Sequence, residues 1–199
     1  RRDPERAVNT LVELCKTRLP QNMGVPADQI QVLTPTRKGP AGTVNLNRCL
    51  QEALNPQAAE KRELLWGERL FREGDRVMQT RNDYDVVWEK EDGTVGTGMF
   101  NGDVGRIVKI DDSGEWLELD FDGRRAVYGV EQLNEVDLAF AQTIHKAQGS
   151  EYRCVVLSAM PAPTSLMVRG VLYTALTRAR ELLVVVGDDA AIRAMAAND

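Results

Sequence analysis

The densest run of groups able to bind a ligand lies between Thr143 and Glu151, Thr-Ile-His-Lys-Ala-Gln-Gly-Ser-Glu, and it holds the only histidine of the chain. A lone histidine is most often structural, but His145 has Thr143, Lys146, Gln148, Ser150 and Glu151 beside it. Thr143 and His145 can donate to phosphates, and an imidazole can stack on a base. Glu151 can accept from a ribose hydroxyl, and Gly149 permits positive φ or close backbone approach. A second run, Thr34-Pro35-Thr36-Arg37-Lys38-Gly39, offers hydroxyls, backbone amides and two cations. It reads equally as a solvated loop or as a loop in which Arg37 meets a phosphate while the threonines line a backbone track. A third run, Tyr173 to Arg180, reads as an amphipathic helix with cations near its carboxyl end, which suits the helix dipole. Its sharper reading gives Arg178 a catalytic part, because a planar, permanently charged fork matches the charge on a transferring phosphoryl group.

The elements needed to position these runs follow from periodicity. Asp3-Pro4 starts a helix with an N-cap residue and Pro at the first helical position, and Val8, Leu11, Val12, Cys15 and Leu19 carry it to about Arg18. Residues 20–26 are expected to be a loop. Gln29 to Leu33 reads as a short buried strand, followed by the basic loop and by a helix, Val44 to Leu54, that Thr43 caps and Asn55-Pro56 ends. Val136 to Ala141 is expected to be a strand leading into the Thr143 run, and Arg153 to Ala159 another. Val168 to Ala179 reads as a helix, Glu181 to Asp188 as a parallel strand buried on both faces, and residues 190–197 as a last helix capped by Asp188 or Asp189. Strand, polar turn and strand is where an α/β sheet places a ligand. Between Leu64 and about Gln132 the pattern changes to short apolar runs separated by Asn-Gly and Asp-Gly turns, which indicates a small antiparallel barrel. Residues 83–98, polar and glycine-bearing, are expected to form a mobile loop.

Composition narrows the class. The chain has 199 residues, which suits one large domain or one domain carrying a smaller insert, and its 43% hydrophobic and 28% charged content is that of an ordinary soluble globular protein. No apolar run approaches the roughly 20 residues of a membrane helix, so no membrane partner is expected. Cys15, Cys49 and Cys154 are unpaired in spacing and lie among apolar residues, as free thiols in a reducing cytoplasm would. With one histidine they exclude a zinc site of ordinary spacing, and no metal ligand set is expected in this chain. The net charge of −5 is unevenly distributed. Glu60 to Glu135 carries 19 acids and 11 bases, whereas no acid lies between Asp28 and Glu52. Local charge decides whether a polyanion binds, and it favours the flanks over the middle.

In this order the runs resemble the C-terminal motor domain of a RecD-type superfamily 1 DNA helicase. Residues 31–40 (Gln-Val-Leu-Thr-Pro-Thr-Arg-Lys-Gly-Pro) resemble the motif IV region, residues 141–151 resemble motif V, and residues 172–180 (Leu-Tyr-Thr-Ala-Leu-Thr-Arg-Ala-Arg) resemble motif VI. Gly74 to Gln79 with Phe100-Asn101-Gly102-Asp103-Val104-Gly105 is similar to the SH3-like barrel inserted in that domain. The resemblance implies a RecA-like parallel sheet flanked by helices over 1–62 and 134–199, with an SH3-like β-barrel over 63–133. It implies catalytic contacts of Arg178 and Arg37 with the γ-phosphate of ATP, and an approach of Gln148, Gly149 and Glu151 to the nucleotide. Thr34, Pro35, Thr36, Thr143, His145 and Lys146 would face single-stranded DNA. Ala147 stands where many relatives have serine, so a hydroxyl contact there is absent. No Gly-x-x-x-x-Gly-Lys-Ser/Thr and no Asp-Glu dipeptide occurs in the chain. The phosphate cradle and Mg2+ ligands are therefore expected on an N-terminal RecA-like motor domain of a longer protein, and this portion alone is expected not to hydrolyse ATP. The implied function is the second half of a 5′-to-3′ helicase of DNA recombination or repair, with further protein partners reached through the barrel. The alternatives are a non-catalytic binder of single strands or proteins, and the helicase part of a conjugative relaxase.

Overall fold

A computed structural model describes residues 3–198; Arg1, Arg2 and Asp199 lie outside the described residues. Helix α1 (Pro4–Glu13) runs through a π-helical stretch, Leu14–Arg18, into α2 (Leu19–Met23), and is followed by β1 (Ile30–Thr34) and α3 (Thr43–Leu54). Strands β2 (Glu63–Trp66), β3 (Arg69–Arg72), β4 (Arg76–Gln79), β5 (Asp83–Glu89), β6 (Val95–Met99), β7 (Val104–Ile110), β8 (Trp116–Phe121), β9 (Arg124–Gly129) and β10 (Val136–Leu138) come next. The chain closes with β11 (Ala141–Thr143), β12 (Tyr152–Ala159), α4 (Arg169–Leu176), β13 (Ala179–Gly187) and α5 (Asp189–Ala197). These elements form two compact units: Asn55–Ala139, and the two flanking segments ending at Leu54 and starting at Phe140.

The flanking unit is an all-parallel sheet in the order β11-β1-β12-β13. Its helices start where local chemistry dictates. Asp3 caps α1 by accepting from the Glu5 amide at 3.0 Å, and Asp188 caps α5 by accepting from Ala190 at 2.9 Å, caps that contribute about 1 kcal/mol each. Leu33, Ile144, Ala147, Val155, Leu157, Val171, Ala175 and Met195 share one core cluster. The segment expected to be a loop from Pro20 is helical to Met23. The π turn offsets the backbone bonding so that Pro20, which has no N–H, sits in the first turn of α2, and Gly24 at φ 63° closes it. β13 was expected to be buried on both faces. It is the terminal strand of the sheet, and its apolar residues from Leu182 to Val186 are only partly covered.

The middle unit is an antiparallel sheet in the order β10-β4-β7-β8-β9-β5-β6, with a β2–β3 hairpin. Phe71, Val77, Val86, Met99, Ile107, Leu119, Phe121 and Tyr128 build its core. Residues 83–98 are not a mobile loop. Asp83–Glu89 and Val95–Met99 pair around a turn in which Thr94 donates to the Asp92 carboxylate and Gly93 takes φ 81°. Val86 and Met99 anchor that hairpin in the core, and the Trp88 ring lies over Gly96, where a Cβ would come within 2.3 Å of it. The expected strand from Val136 to Ala141 is two strands. Val136–Leu138 pairs antiparallel with β4, Ala139 donates to the Arg76 carbonyl at 2.8 Å, and Ala141–Thr143 pairs parallel with β1.

The units divide at 54/55 and 139/140 rather than at 62/63 and 133/134. Buried polar bonds set the first seam. The Arg72 guanidinium, 2% exposed, donates to the Asn55 carbonyl and to Glu63, both at 2.6 Å. Asp75, fully buried, accepts from the Asn55 side chain at 2.8 Å and from the Arg72 amide at 2.7 Å. The β10–β4 ladder sets the second seam.

Removing one member of such a buried charged network leaves the others uncompensated. Asp75→Ala is expected to lower stability by about 3–5 kcal/mol, read as a drop in the urea midpoint. A loss near that of an exposed substitution would contradict this account. Burial pushes the Cys15 thiol up to about 12 and raises that of Cys154, whereas Cys49 is half-exposed. Iodoacetamide at neutral pH should therefore label Cys49 in the folded chain and spare the other two, as peptide mass mapping would show.

Candidate functional site

All four strands of the flanking unit run parallel, so the sheet has one carboxyl edge and one amino edge. Thr34 and Thr143 are register partners at the carboxyl edge, and the Ile144 amide donates to the Thr34 carbonyl at 3.1 Å. The two loops that leave this edge, 35–42 and 143–149, therefore start side by side.

The first loop is shaped from within. The buried Thr34 hydroxyl donates to the Ala41 carbonyl at 2.8 Å, and Pro35 is buried. The amides of Thr43 and Val44, at the start of α3, donate to the carbonyls of Thr36 at 3.0 Å and Arg37 at 3.2 Å. Gly42 is required there, because a Cβ would lie 2.5 Å from the Arg37 and Lys38 carbonyl oxygens. These bonds turn the Arg37 and Lys38 side chains outward, and among the described residues neither has an ion-pair partner. Thr34 and Pro35, expected as strand contacts, instead build the loop from below. Thr36, half-buried, donates its hydroxyl to the Lys38 carbonyl at 3.1 Å.

The second loop is pinned by apolar residues. Ile144 and Ala147 are fully buried, which leaves His145 and Gln148 exposed. The Thr143 hydroxyl accepts from the Lys146 amide at 3.3 Å, and the Thr143 carbonyl accepts from Ala147 at 3.2 Å. Gly149 takes φ 84° with open space where a Cβ would stand, the left-handed region that favours glycine.

The chain then reaches the amino edge, where β12 begins at Tyr152 and β13 at Ala179. Here the Arg178 guanidinium donates three ways: to the Ser150 carbonyl at 3.0 Å, the Thr174 carbonyl at 3.2 Å and the Thr177 hydroxyl at 3.1 Å. All three acceptors are neutral, so the positive charge is held in place but not neutralised. Beside it the Glu151 carboxylate accepts from Arg180 at 3.0 Å in an exposed pair, which contributes little to stability. The Tyr152 amide donates to the Arg178 carbonyl at 2.8 Å.

The expected site residues thus fall into two groups. Thr36, Arg37, Thr143, His145 and Lys146 leave from the carboxyl edge. Glu151 and Arg178 flank the amino edge, and Gln148 and Gly149 precede it. The five residues of β1 separate the edges by roughly 15 Å at about 3.3 Å per residue, so Arg37 and Arg178, expected on one phosphate, are anchored at opposite edges. Sequence reading missed Asn47. It lies on the buried side of α3, donates to the Ala141 carbonyl at 3.0 Å and accepts from the Ala141 amide at 2.8 Å. The available signal was a polar residue interrupting the apolar stripe of that helix, between Leu46 and Leu50. Among the described residues no group of three or more His, Cys, Asp or Glu side chains could hold a metal ion, and no helix is long and apolar enough to cross a membrane.

Comparison with known proteins fits this arrangement. The SH3 domain of ATP-dependent RecD-like DNA helicases matches residues 46–121, and the UvrD-like helicase C-terminal domain matches residues 138–186. The ATP-dependent RecD2 DNA helicase of Deinococcus radiodurans is 38% identical over 168 residues, 84% of this chain and 21% of that protein. The RecBCD enzyme subunit RecD of Mycolicibacterium smegmatis is 33% identical over 173 residues, 84% of this chain and 26% of that protein. The chain therefore spans about a fifth to a quarter of the length of these relatives. A Bacteroides Pif1 helicase crystallised with ADP-AlF3 and single-stranded DNA shares the fold, with a TM-score of 0.55 at 18% identity over 96% of this chain and 47% of that one. With a parallel sheet carrying the motif V and VI residues, and an SH3-like unit between its two segments, the chain belongs to the RecD-like superfamily 1 helicases as a C-terminal portion.

Proposed function

We propose that this chain is the second motor domain of an ATP-dependent helicase that moves 5′ to 3′ on single-stranded DNA, and that it faces an N-terminal RecA-like motor domain of the same protein. The observation that carries the reading is the bond from Arg178 to the Ser150 carbonyl. It ties a cation that has no acidic partner among the described residues to the far end of the segment that starts at Thr143 on the opposite edge.

In this reading the amino edge is one wall of the nucleotide cleft. Arg178 meets the γ-phosphate, where a rigid fork stabilises the charge of the transferring group. Gln148 and Gly149 approach the nucleotide, and Glu151 accepts from it once released from Arg180. Mg2+ would neutralise charge between the β- and γ-phosphates, and its ligands are assigned to the facing motor domain. The carboxyl edge is the strand track. Thr36, Arg37, Thr143, His145 and Lys146 contact the DNA backbone or bases, while Thr34 and Pro35 shape the track without touching it. Arg37 is assigned to the strand and not to the γ-phosphate, on the separation of the two edges. The barrel, with 19 acids against 11 bases between Glu60 and Glu135, is assigned to protein contacts and not to an autonomous strand binder. The parent protein is assigned to DNA recombination or repair in the cytoplasm.

In the full-length protein, Arg178→Ala is expected to lower ATP turnover by about 10³–10⁵-fold while strand affinity holds; a parallel loss of both would contradict the assignment. Arg37→Ala is expected to do the reverse. It should weaken binding of an oligothymidylate and flatten the plot of log affinity against log salt by about 0.7, with basal ATP turnover retained. If Arg37→Ala abolishes basal turnover as Arg178→Ala does, Arg37 belongs to the nucleotide after all. His145→Ala should reduce the stimulation of turnover by DNA more than basal turnover, and unchanged stimulation would remove it from the coupling path.

A further inference from the structure

We infer that Asn47 is a positioning residue that holds the two strand-facing segments, 35–42 and 143–147, in one frame, so that Arg37 and His145 act on the DNA strand as a unit. The inference rests on the reading of the carboxyl edge as a strand track.

β11 is the outermost strand of its sheet and only three residues long. The peptide groups of an outermost strand need partners beyond the sheet, and at Ala141, which is buried, water does not supply them. The Asn47 side chain does. Its amide presents a donor and an acceptor side by side, as a neighbouring strand would, and takes both the carbonyl and the N–H of Ala141. Aspartate would keep the acceptor and lose the donor; leucine would lose both.

The other end of the same helix turn holds the first loop. Thr43 and Val44 donate to the carbonyls of Thr36 and Arg37, and Asn47 stands one turn along α3. One turn of helix therefore carries both attachments: the carbonyl of Arg37 on one side, and on the other the strand that reaches Thr143 two residues after Ala141. The bond from the Ile144 amide to the Thr34 carbonyl ties the loops at their base, and Asn47 closes the frame behind them. Displacing either loop moves the helix turn, and with it the other loop.

A buried asparagine that served stability alone would give the same fold without coupling the loops, so the test must read coupling. In the full-length protein, oligothymidylate affinity is measured for Arg37→Ala, His145→Ala and the double variant, each in the native background and with Asn47→Asp. Leu50→Ala, a fully buried position on the same helix, serves as the destabilised control. The expected result is a departure from additivity of about threefold or more between Arg37 and His145, lost with Asn47→Asp and kept with Leu50→Ala. Hydrogen exchange at the Ala141 amide should rise with Asn47→Leu, which removes the acceptor of that amide as well as the donor to its carbonyl. Additive losses in the native background, or coupling that survives Asn47→Asp, overturn the inference. Loss of coupling in the Leu50→Ala control also overturns it, since stability alone would then explain the effect. Single variants that leave strand affinity unchanged overturn the strand-track reading itself, which separates that failure from the others.

Discussion

The constraint on which the rest depends is the parallel direction of β11 and β12. A chain leaving β11 at the carboxyl edge must travel the depth of the sheet before it can enter β12 at the amino edge. Most parallel connections cross on a helix of a dozen residues or more. Here only residues 144–151 cross, as compact turns held by Ile144 and Ala147 in the core. Thr143 leaves beside the Arg37 loop, and Ser150 arrives beside Arg178. A short crossover is thus sufficient to bring two chemically different surfaces under one mechanical element.

The same economy recurs in how the loops are held. Neither loop of the carboxyl edge depends on its exposed side chains for shape. The first is fixed by the Thr34 hydroxyl, the α3 amides and the close approach at Gly42; the second by two apolar side chains and the Thr143 hydroxyl. Arg37, Lys38, His145 and Gln148 are left outward. At the amino edge, neutral acceptors hold Arg178 without cancelling its charge, whereas the nearby Arg180 pairs with Glu151. The middle unit spends its charges differently, on the buried network of Arg72, Glu63, Asp75 and Asn55 that fixes where it begins.

Much of this was legible in the sequence because it rests on local chemistry. Asp3-Pro4 and the Asp188-Asp189 pair announce helix starts, Thr43 announces α3 though it is the helix's first residue and not its expected cap, and the apolar run before Thr143 marks a strand. What was not legible depends on long-range pairing. Val136 to Ala141 is one apolar run, yet its halves pair with strands far apart in sequence, so no local signal divides it. Residues 83–98 are polar and glycine-bearing but fold as a hairpin, because Val86 and Met99 find a core built by distant residues. A local pattern also does not tell which strand is last in a sheet, as the partly covered β13 shows. The separation of Arg37 from Arg178 is of the same kind: both follow recognisable motifs, but only strand direction reveals that they leave from opposite edges.

The claim that residues 144–151 join two separate surfaces can be tested by hydrogen exchange on the full-length protein with and without a single-stranded oligonucleotide, in the absence of nucleotide. The account predicts slower exchange in the loops 35–42 and 143–148, together with a change at the amides of Ser150 and Tyr152, about 15 Å away across the sheet. Protection confined to the carboxyl edge, with Ser150 and Tyr152 unaltered, would contradict it.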